Sequence, residues 1–204
     1  MFITFEGIEG SGKSTQARLL NDFITTKGLK INLTREPGWG KLGQIIRNIL
    51  LDDRDITLAP FAELCLFCTD RVNHVKEFIE PKLENGEIVI CDRYHDSTLV
   101  YQGLGRDNDR ELVAKMVEQS CLGILPDITL LLDLPVESGL QRIESRDEKT
   151  KFDAESVDFH KRVRDGFLES YKKQPDRIKI IDADRDAAVI AQEINTIIEN
   201  ILNI

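Results

Sequence analysis

The chain has 204 residues, 41% of them hydrophobic, and this length suits one domain over residues 1–204 with a sizeable core. The formal net charge of −9 argues against a nucleic-acid partner and against binding to an anionic membrane, because both require a basic face. No apolar run reaches membrane-spanning length and no signal-peptide pattern precedes the first motif, so we expect a cytoplasmic protein. Because the chain as a whole is acidic, any phosphate-binding site must be formed by basic side chains that lie close together.

A phosphate-loop motif, G-x-x-x-x-G-K-S at residues 7–14, follows the first predicted strand. Met1–Glu6 is apolar and β-prone, and Lys13–Lys27 has the spacing of an amphipathic helix. The glycines let successive N–H groups point inward, and the helix adds the positive end of its dipole, so the loop suits phosphate better than a plain turn. Lys13 is expected to contact the β- and γ-phosphates, and the Ser14 hydroxyl to hold Mg²⁺. The predicted ATP-binding residues here are Gly7, Ile8, Glu9, Gly10, Ser11, Gly12, Lys13, Ser14 and Thr15.

A second polar junction follows the short predicted strand Lys30–Thr34. Ligands collect outside the carboxyl ends of parallel strands, so Arg35 and Glu36 are expected where a substrate sits, although a plain Pro-Gly turn is the alternative. Helical spacing then extends over Leu42–Leu51 and from about Leu58 to Glu84.

The long helix carries an apolar stripe and, beside it, a candidate base-binding pair. Phe67 and Arg71 stand four residues apart, so a flat ring and a planar guanidinium leave the helix on one side. A core phenylalanine beside a solvated arginine fits the same letters. Cys65 and Cys68 form a C-x-x-C without a second pair, which favours buried thiols over a zinc site. The stripe, expected to face the core or a partner helix, is Phe61, Leu64, Cys65, Cys68, Val72, Val75 and Ile79.

Two predicted strands, Glu87–Asp92 and Ile128–Asp133, end in an aspartate that could assist a metal ion. Spacing alone does not choose between the two carboxylates. The neighbourhood favours Asp92, because polar and aromatic groups follow it at once. These neighbours are Arg93, Tyr94, Ser97, Thr98, Tyr101 and Gln102.

The second half of the chain completes an alternation of strands and helices. Asp109 is expected to cap a helix, and a charged run at about residues 142–153 is either a solvated loop or a lid whose arginine reaches the transferring group. A helix over Phe152–Tyr171, a strand over Arg177–Ile181 and an amphipathic C-terminal helix follow. Strands and helices alternate five times, which predicts an α/β fold with a five-stranded parallel sheet and helices on both faces.

These motifs resemble the thymidylate kinase family in order and approximate spacing over nearly the whole chain. The resemblance rests on residues 7–14, 34–38 and 67–71 and on the D-R-Y…S-x-x-x-Y-Q-G block from Asp92 to Gly103. It implies a P-loop nucleotide-kinase fold, a homodimer, and phosphorylation of dTMP to dTDP with ATP and Mg²⁺ in dTTP biosynthesis.

The resemblance also implies a role for individual residues. Arg35 and Arg93 would hold the acceptor phosphate, and Phe67 would stack on thymine. Arg71 and Thr98 would read the base edge, while Tyr101 would crowd the 2′ position of the sugar. Glu9 would lie near the 3′-hydroxyl, and Asp92 would serve Mg²⁺ and the attacking phosphate. Ser97 and Gln102 complete the expected substrate-binding set, and Lys13, Glu9, Asp92, Arg93 and Arg146 form the expected catalytic set.

The phosphate loop lacks an arginine, so the resemblance implies that the catalytic cation comes from the lid. Arg146 is the first choice, with Lys149 and Lys151 as alternatives, and Arg142 is expected to bind ATP. Two positions depart from the family pattern. Trp39 stands where many members have a glycine, and Lys151 stands where the lid often carries an arginine.

Two other functions remain open from the residues alone. The first is another nucleoside monophosphate kinase or a deoxynucleoside kinase on the same scaffold. The second is a GTP-dependent switch, although the N-K-x-D pattern that reads guanine is absent from the sequence.

Overall fold

The structure is a computed structural model that describes residues 1–52, 55–106, 108–144 and 150–204. Within these residues a parallel sheet has five strands: β1 Phe2–Glu6, β2 Ile31–Arg35, β3 Ile88–Asp92, β4 Ile128–Asp133 and β5 Ile178–Asp182. Their order is β2-β3-β1-β4-β5, and every neighbouring pair is parallel. The predicted five-stranded parallel sheet is confirmed.

Helices connect the strands in chain order. They are α1 Lys13–Thr26, α2 Gly40–Arg47, α3 Pro60–His74, α4 Glu80–Glu84, α5 His95–Val100, α6 Arg110–Ser120, α7 Val136–Glu144, α8 Val157–Lys173 and α9 Ala187–Leu202. Single π-helical turns follow α2, α3 and α5 at Asn48–Asp52, Val75–Ile79 and Tyr101–Gly105, and a 3₁₀ turn lies at Phe152–Ala154. In the described part of the chain, none of these helices combines the length and the apolar character that a membrane crossing requires.

The sheet is buried on both faces, as parallel sheets usually are. Alternate residues of β3 enter two different cores: Ile88 and Ile90 join one, and Val89 and Cys91 join the other. The first core includes side chains of α1, α8 and α9, and the second includes side chains of α3 and α6. Helices therefore cover both faces of the sheet, as predicted.

The predicted elements agree with the structure except at one helix start. The predicted helix from Leu58 to Glu84 is present as α3, a π-helical turn and α4. The prediction of a helix beginning at Phe152 is wrong, because Phe152–Ala154 forms a separate 3₁₀ turn and α8 begins at Val157. The Ser156 hydroxyl caps α8 by accepting from the backbone N–H of Phe159 at 3.2 Å.

Strand register brings three polar junctions to one edge of the sheet. Asp92 at the end of β3 pairs with Phe5 of β1 on one side and with Arg35 of β2 on the other. The loop after β1 therefore lies beside the ends of β2 and β3, where α/β sheets bind their ligands.

Candidate active site

One pocket at this edge brings most of the predicted site residues together. It is lined by Glu9, Gly10, Gly12, Lys13, Ser14, Thr15, Arg35, Phe67, Arg71, Asp92, Arg93, Ser97, Thr98, Tyr101 and Gln102. Gly7, Ile8, Ser11 and Arg142 belong to the predicted set but do not line the pocket. Arg146 and Lys149 lie outside the described residues.

The phosphate loop curls tightly around the side chain of Lys13. Its Nζ donates to the carbonyl oxygens of Gly7 and Ile8 at 3.0 and 2.7 Å and to Ser11 Oγ at 3.1 Å. Gly10 has φ 75°, and a Cβ there would stand 2.1 Å from the carbonyl oxygen of Gly139, so no side chain fits. The loop can approach α7 and keep this curl only with glycine at position 10.

Burial is the main reason that the pKa of Lys13 falls to about 7, and the neighbouring Arg93 lowers it further. Glu9, Asp92 and Glu6 oppose this shift. A bound polyphosphate would bring negative charge to the ammonium group and favour its charged form.

The end of β3 supplies the carboxylate nearest to the loop. The Ser14 hydroxyl donates to Asp92 Oδ2. Asp133, the other predicted candidate, does not line the pocket and instead accepts from Arg164 Nε and Nη2 at 2.7 and 2.9 Å. The geometry therefore favours Asp92 as the metal-assisting carboxylate.

A hydroxyl beside a single carboxylate fits Mg²⁺ bound together with substrate phosphates. Mg²⁺ prefers oxygen ligands, keeps several waters and needs only one or two carboxylates from the protein. No group of three or more His, Cys, Asp or Glu side chains that could hold a metal ion occurs among the described residues. Ser14 and Asp92 therefore match a Mg²⁺ site that substrate phosphates complete, and not a site formed by protein ligands alone.

Glu9 is the acidic centre of the pocket and is held from three elements. It accepts from Arg93 Nη2 at 2.8 Å and from the Tyr101 hydroxyl at 2.7 Å, and its Oε2 lies 3.3 Å from His160 Nδ1 on α8. Burial alone would raise the pKa of Glu9. Arg93, His160, Lys13 and Tyr101 outweigh burial and lower the pKa to about 2, so Glu9 is ionised at neutral pH.

Arg93 joins the loop to the acidic centre. Its Nη1 donates to the carbonyl oxygen of Gly7 and to Ser97 Oγ, both at 3.0 Å. Its guanidinium lies over the Tyr101 ring at 4.9 Å from the ring centroid. Arg93 has φ 70°, a left-handed conformation that is uncommon for a non-glycine residue and recurs at functional sites.

The other side of the pocket combines an aromatic ring with a fully buried guanidinium. Arg71 is 1% exposed, and its Nε and Nη2 donate to Glu36 Oε2 at 2.9 Å and to Thr98 Oγ1 at 2.8 Å. Phe67 packs against Phe152 with ring centroids 6.3 Å apart. This pair fits the predicted base-binding arrangement better than the alternative of a solvated arginine.

Two buried side chains that contact pocket residues were missed in the sequence, because nothing local distinguishes them. Glu6 is fully buried at the end of β1, where it accepts from the backbone N–H groups of Tyr94 and Ser97 and from Ser97 Oγ. Burial and the nearby Asp96 raise the pKa of Glu6 to about 7. His160 is buried on α8, and only the fold brings it to Glu9.

The described ends of the charged run make contacts away from the pocket centre. Lys151 Nζ donates to the carbonyl oxygens of Ile49 and Ile56 at 3.0 and 2.8 Å. Arg142 Nη1 donates to the carbonyl oxygens of Ala183 at 3.0 Å and Gly10 at 3.4 Å. In this conformation Lys151 is engaged with backbone rather than with a phosphate position.

Known proteins of one family match the chain along nearly its whole length. The family model described as thymidylate kinase matches residues 5–194. A thymidylate kinase from Desulfovibrio desulfuricans is 46% identical over 98% of this chain and 95% of its own length. One from Trichlorobacter lovleyi is 45% identical over 96% of this chain and 95% of its own length. The crystal structure of thymidylate kinase from Ehrlichia chaffeensis matches with a TM-score of 0.79 at 33% identity, over 97% of this chain and 98% of that one.

Proposed function

The chain belongs to the thymidylate kinase family, and on this premise we propose how its pocket transfers the γ-phosphoryl group of ATP to dTMP. The donor phosphates lie on the loop at residues 7–14, and the acceptor phosphate lies between Arg35 and Arg93. One observation carries this arrangement: the carbonyl oxygen of Gly7 accepts from both Lys13 Nζ and Arg93 Nη1, each at 3.0 Å. The donor-side and acceptor-side cations thus meet at one backbone atom.

The acceptor nucleoside fills the side of the pocket that carries Phe67 and Arg71. The Phe67 ring offers a stacking surface for thymine, and Arg71 and Thr98 face the base edge. Glu9 binds the Tyr101 hydroxyl at 2.7 Å, which fixes the tyrosine ring against the sugar. This packing favours deoxyribose, because a 2′-hydroxyl would need room beside Tyr101.

The transfer step needs charge neutralisation and alignment rather than a strong base. A phosphate oxygen of dTMP attacks the γ-phosphorus, the new P–O bond gives dTDP, and the bond to the β-phosphate oxygen breaks to release ADP. The attacking monoester is already ionised near neutral pH. Lys13, Arg35 and Arg93 supply positive charge that cancels the repulsion between the two anions.

Ser14 and Asp92 would hold Mg²⁺ beside the donor phosphates. When bound there, the ion neutralises charge on the β- and γ-phosphate oxygens. The adjacent hydroxyl and carboxylate support this position, since they present oxygen ligands at the mouth of the loop.

Residues 142–153 would act as a lid on a single domain that spans residues 1–204. Thr150, Phe152 and Asp153 support this proposal because they line the pocket from the C-terminal end of that segment. Arg146 is our first choice for the lid cation, since Lys151 already binds two backbone carbonyls. We place the protein in the cytoplasm, where its four free cysteines suit a reducing environment.

We expect a homodimer that buries an apolar groove between α3 and α6. Leu42, Cys65, Val72 and Met116 contribute to the groove. Phe61 and Val72 belong to the predicted stripe of the long helix, yet they are 50% and 39% exposed. Exposed apolar side chains clustered on one face are typical of an association surface, and a second copy of the chain suits it.

Light scattering is expected to give about twice the 23.2 kDa chain mass at micromolar concentration. Val72→Asp should shift the protein toward the single-chain mass, because a charge in an apolar interface is costly to bury. Val189→Asp on α9 serves as the charge-matched control, because this valine is 47% exposed and lies outside the groove. A wild-type protein that scatters as one chain would rule out the dimer.

A coupled assay of ADP release across several acceptors tests the function directly. We expect the highest kcat/KM with dTMP and lower values with dUMP, dCMP and AMP. Uracil lacks the 5-methyl group, cytosine presents an amino group to an arginine that can only donate, and adenine is a larger purine. The assignment fails if dTMP is phosphorylated no faster than the other three. Tight GTP binding without acceptor-dependent turnover would instead indicate a switch protein.

A further inference from the structure

The loop that follows β2 is held in place residue by residue. The Glu36 carboxylate binds Arg71 and His74, and the carbonyl oxygen of Pro37 accepts from Arg47 Nη1 at 2.8 Å. The backbone N–H of Gly38 donates to the Asp70 carboxylate at 3.2 Å. Trp39 is the last residue of this loop, and its indole packs against the rings of His74 and Phe78. The loop is therefore ordered by its contacts with α2 and α3 before any ligand binds.

Trp39 packs into a cluster of three rings with His74 and Phe78. The Trp39 and His74 centroids lie 5.6 Å apart at an interplanar angle of 21°, and the His74 and Phe78 centroids lie 5.8 Å apart at 17°. Trp39 and Phe78 are 5.3 Å apart. His74 is completely buried while Trp39 is half-buried, so the indole is the outer wall that keeps water from the imidazole.

The imidazole in turn fixes the carboxylate that holds Arg71. His74 Nδ1 lies 2.9 Å from Glu36 Oε1, and His74 Nε2 lies 2.8 Å from Thr34 Oγ1, so both ring nitrogens are hydrogen-bonded. The other oxygen of Glu36 accepts from Arg71 Nε. Contacts therefore run without a gap from the indole of Trp39 through His74 and Glu36 to the guanidinium in the pocket.

We propose that Trp39 is a positioning residue for acceptor-base selection, which acts through His74 and Glu36 on Arg71. The inference rests on the proposed function, in which Arg71 faces the edge of thymine. Thymine presents a carbonyl oxygen at position 4, whereas cytosine presents an amino group there. A guanidinium has donors and no acceptor, so when it is held rigidly it favours thymine and rejects cytosine.

Removing the indole would loosen this selection. Water would reach His74, the Glu36 carboxylate would gain alternative rotamers, and the Arg71 guanidinium would lose its fixed plane. Rigidly held groups discriminate between bases because they cannot move to hydrogen-bond the wrong base. The ratio of kcat/KM for dTMP to that for dCMP is therefore the quantity that Trp39 sets.

Trp39→Gly tests the proposal, with Trp39→Phe as the conservative variant that keeps a ring. We expect the ratio of kcat/KM for dTMP to that for dCMP to fall by about fivefold or more in Trp39→Gly. This is the size of effect found when residues in contact are energetically coupled. The ratio should stay within about twofold of wild type in Trp39→Phe, and KM for ATP should stay within about twofold in both variants. If Trp39→Gly does not fold, Trp39→Leu makes the same test, because leucine fills the site without stacking.

An unchanged ratio in a folded Trp39→Gly or Trp39→Leu protein would overturn the proposal. The proposal would also be overturned if kcat/KM fell equally for both acceptors and the melting temperature fell as well. Trp39 would then have only a structural role. Arg71→Lys separates this failure from that of the proposed function, because lysine lacks the planar fork. A ratio that Arg71→Lys leaves unchanged would remove Arg71 from base reading altogether. A ratio that falls in Arg71→Lys alone would overturn only the role of Trp39.

Discussion

Replacing Arg93 by alanine is expected to lower kcat/KM for dTMP by about 100-fold or more, equivalent to about 3 kcal/mol of lost charge-assisted hydrogen bonding. The guanidinium lies between the Gly7 carbonyl, Ser97 and Glu9, where it can turn toward an acceptor phosphate without leaving the pocket. Alanine removes that cation, so the pocket loses a positive charge that would offset the charge of the incoming phosphate. Steady-state kinetics with varied dTMP at saturating ATP measure the loss.

Two further variants make the Arg93 result specific. Arg93→Lys keeps a positive charge but not the fork, so it should recover part of the activity and leave a deficit in KM for dTMP. Arg110→Ala removes an exposed arginine at the start of α6 and should leave both kinetic constants near wild type. An Arg93→Ala enzyme within about threefold of wild type would show that Arg93 does not hold the acceptor.

The sheet and the phosphate loop could be predicted because their signals are local. The apolar run from Phe2, the glycines at positions 7, 10 and 12 and the amphipathic pattern from Lys13 all lie within one stretch of chain. Gly10 illustrates the reason, because its positive φ and its contact with Gly139 leave no room for a side chain. The glycine in the motif is therefore required by the backbone conformation of the loop. Predictions of this kind depend little on the rest of the fold.

The start of α8 could not be predicted, because two capping groups compete there. Hydrophobic spacing from Phe152 is compatible with a helix, yet the Asp153 carboxylate accepts from the backbone N–H and hydroxyl of Thr150 and closes a separate turn. Ser156 then caps a new helix four residues after Phe152. The spacing of apolar residues does not show which of these side chains accepts hydrogen bonds from the backbone N–H groups.

The choice between Asp92 and Asp133 likewise required tertiary structure. Both residues end strands that flank β1, so their sequences and their places in the sheet are alike. Arg164 of α8 binds Asp133 with two nitrogens, while Ser14 binds Asp92, and neither partner is near in sequence. In the sequence, only the polar residues that follow Asp92 favour it over Asp133.

Lys13→Ala is expected to lower kcat by about 100- to 1000-fold, the range for removing one preorganised charge from a transition state. The ammonium group is seated on the Gly7 and Ile8 carbonyls at the base of the loop, where negative charge on the donor phosphates would develop. The backbone N–H groups of the loop remain in the variant, so ATP should still bind, and the deficit should fall mainly on kcat. Single-turnover measurements at saturating ATP and dTMP separate this loss from slow product release.

Lys27→Ala is the matched control for Lys13→Ala, because Lys27 directly follows the same helix and forms an exposed ion pair with Glu199. Its removal should leave kcat unchanged, since Lys27 does not line the pocket. The melting temperature should also stay near wild type, since surface ion pairs contribute little to stability. Lys13→Ala also removes the ammonium hydrogen bonds to the buried carbonyl oxygens of Gly7 and Ile8, at a cost of about 1–3 kcal/mol in unfolding free energy, so thermal melting must accompany the kinetics. A folded Lys13→Ala enzyme that retains kcat within about tenfold of wild type would contradict the role of Lys13, because another cation would then carry the transferred charge.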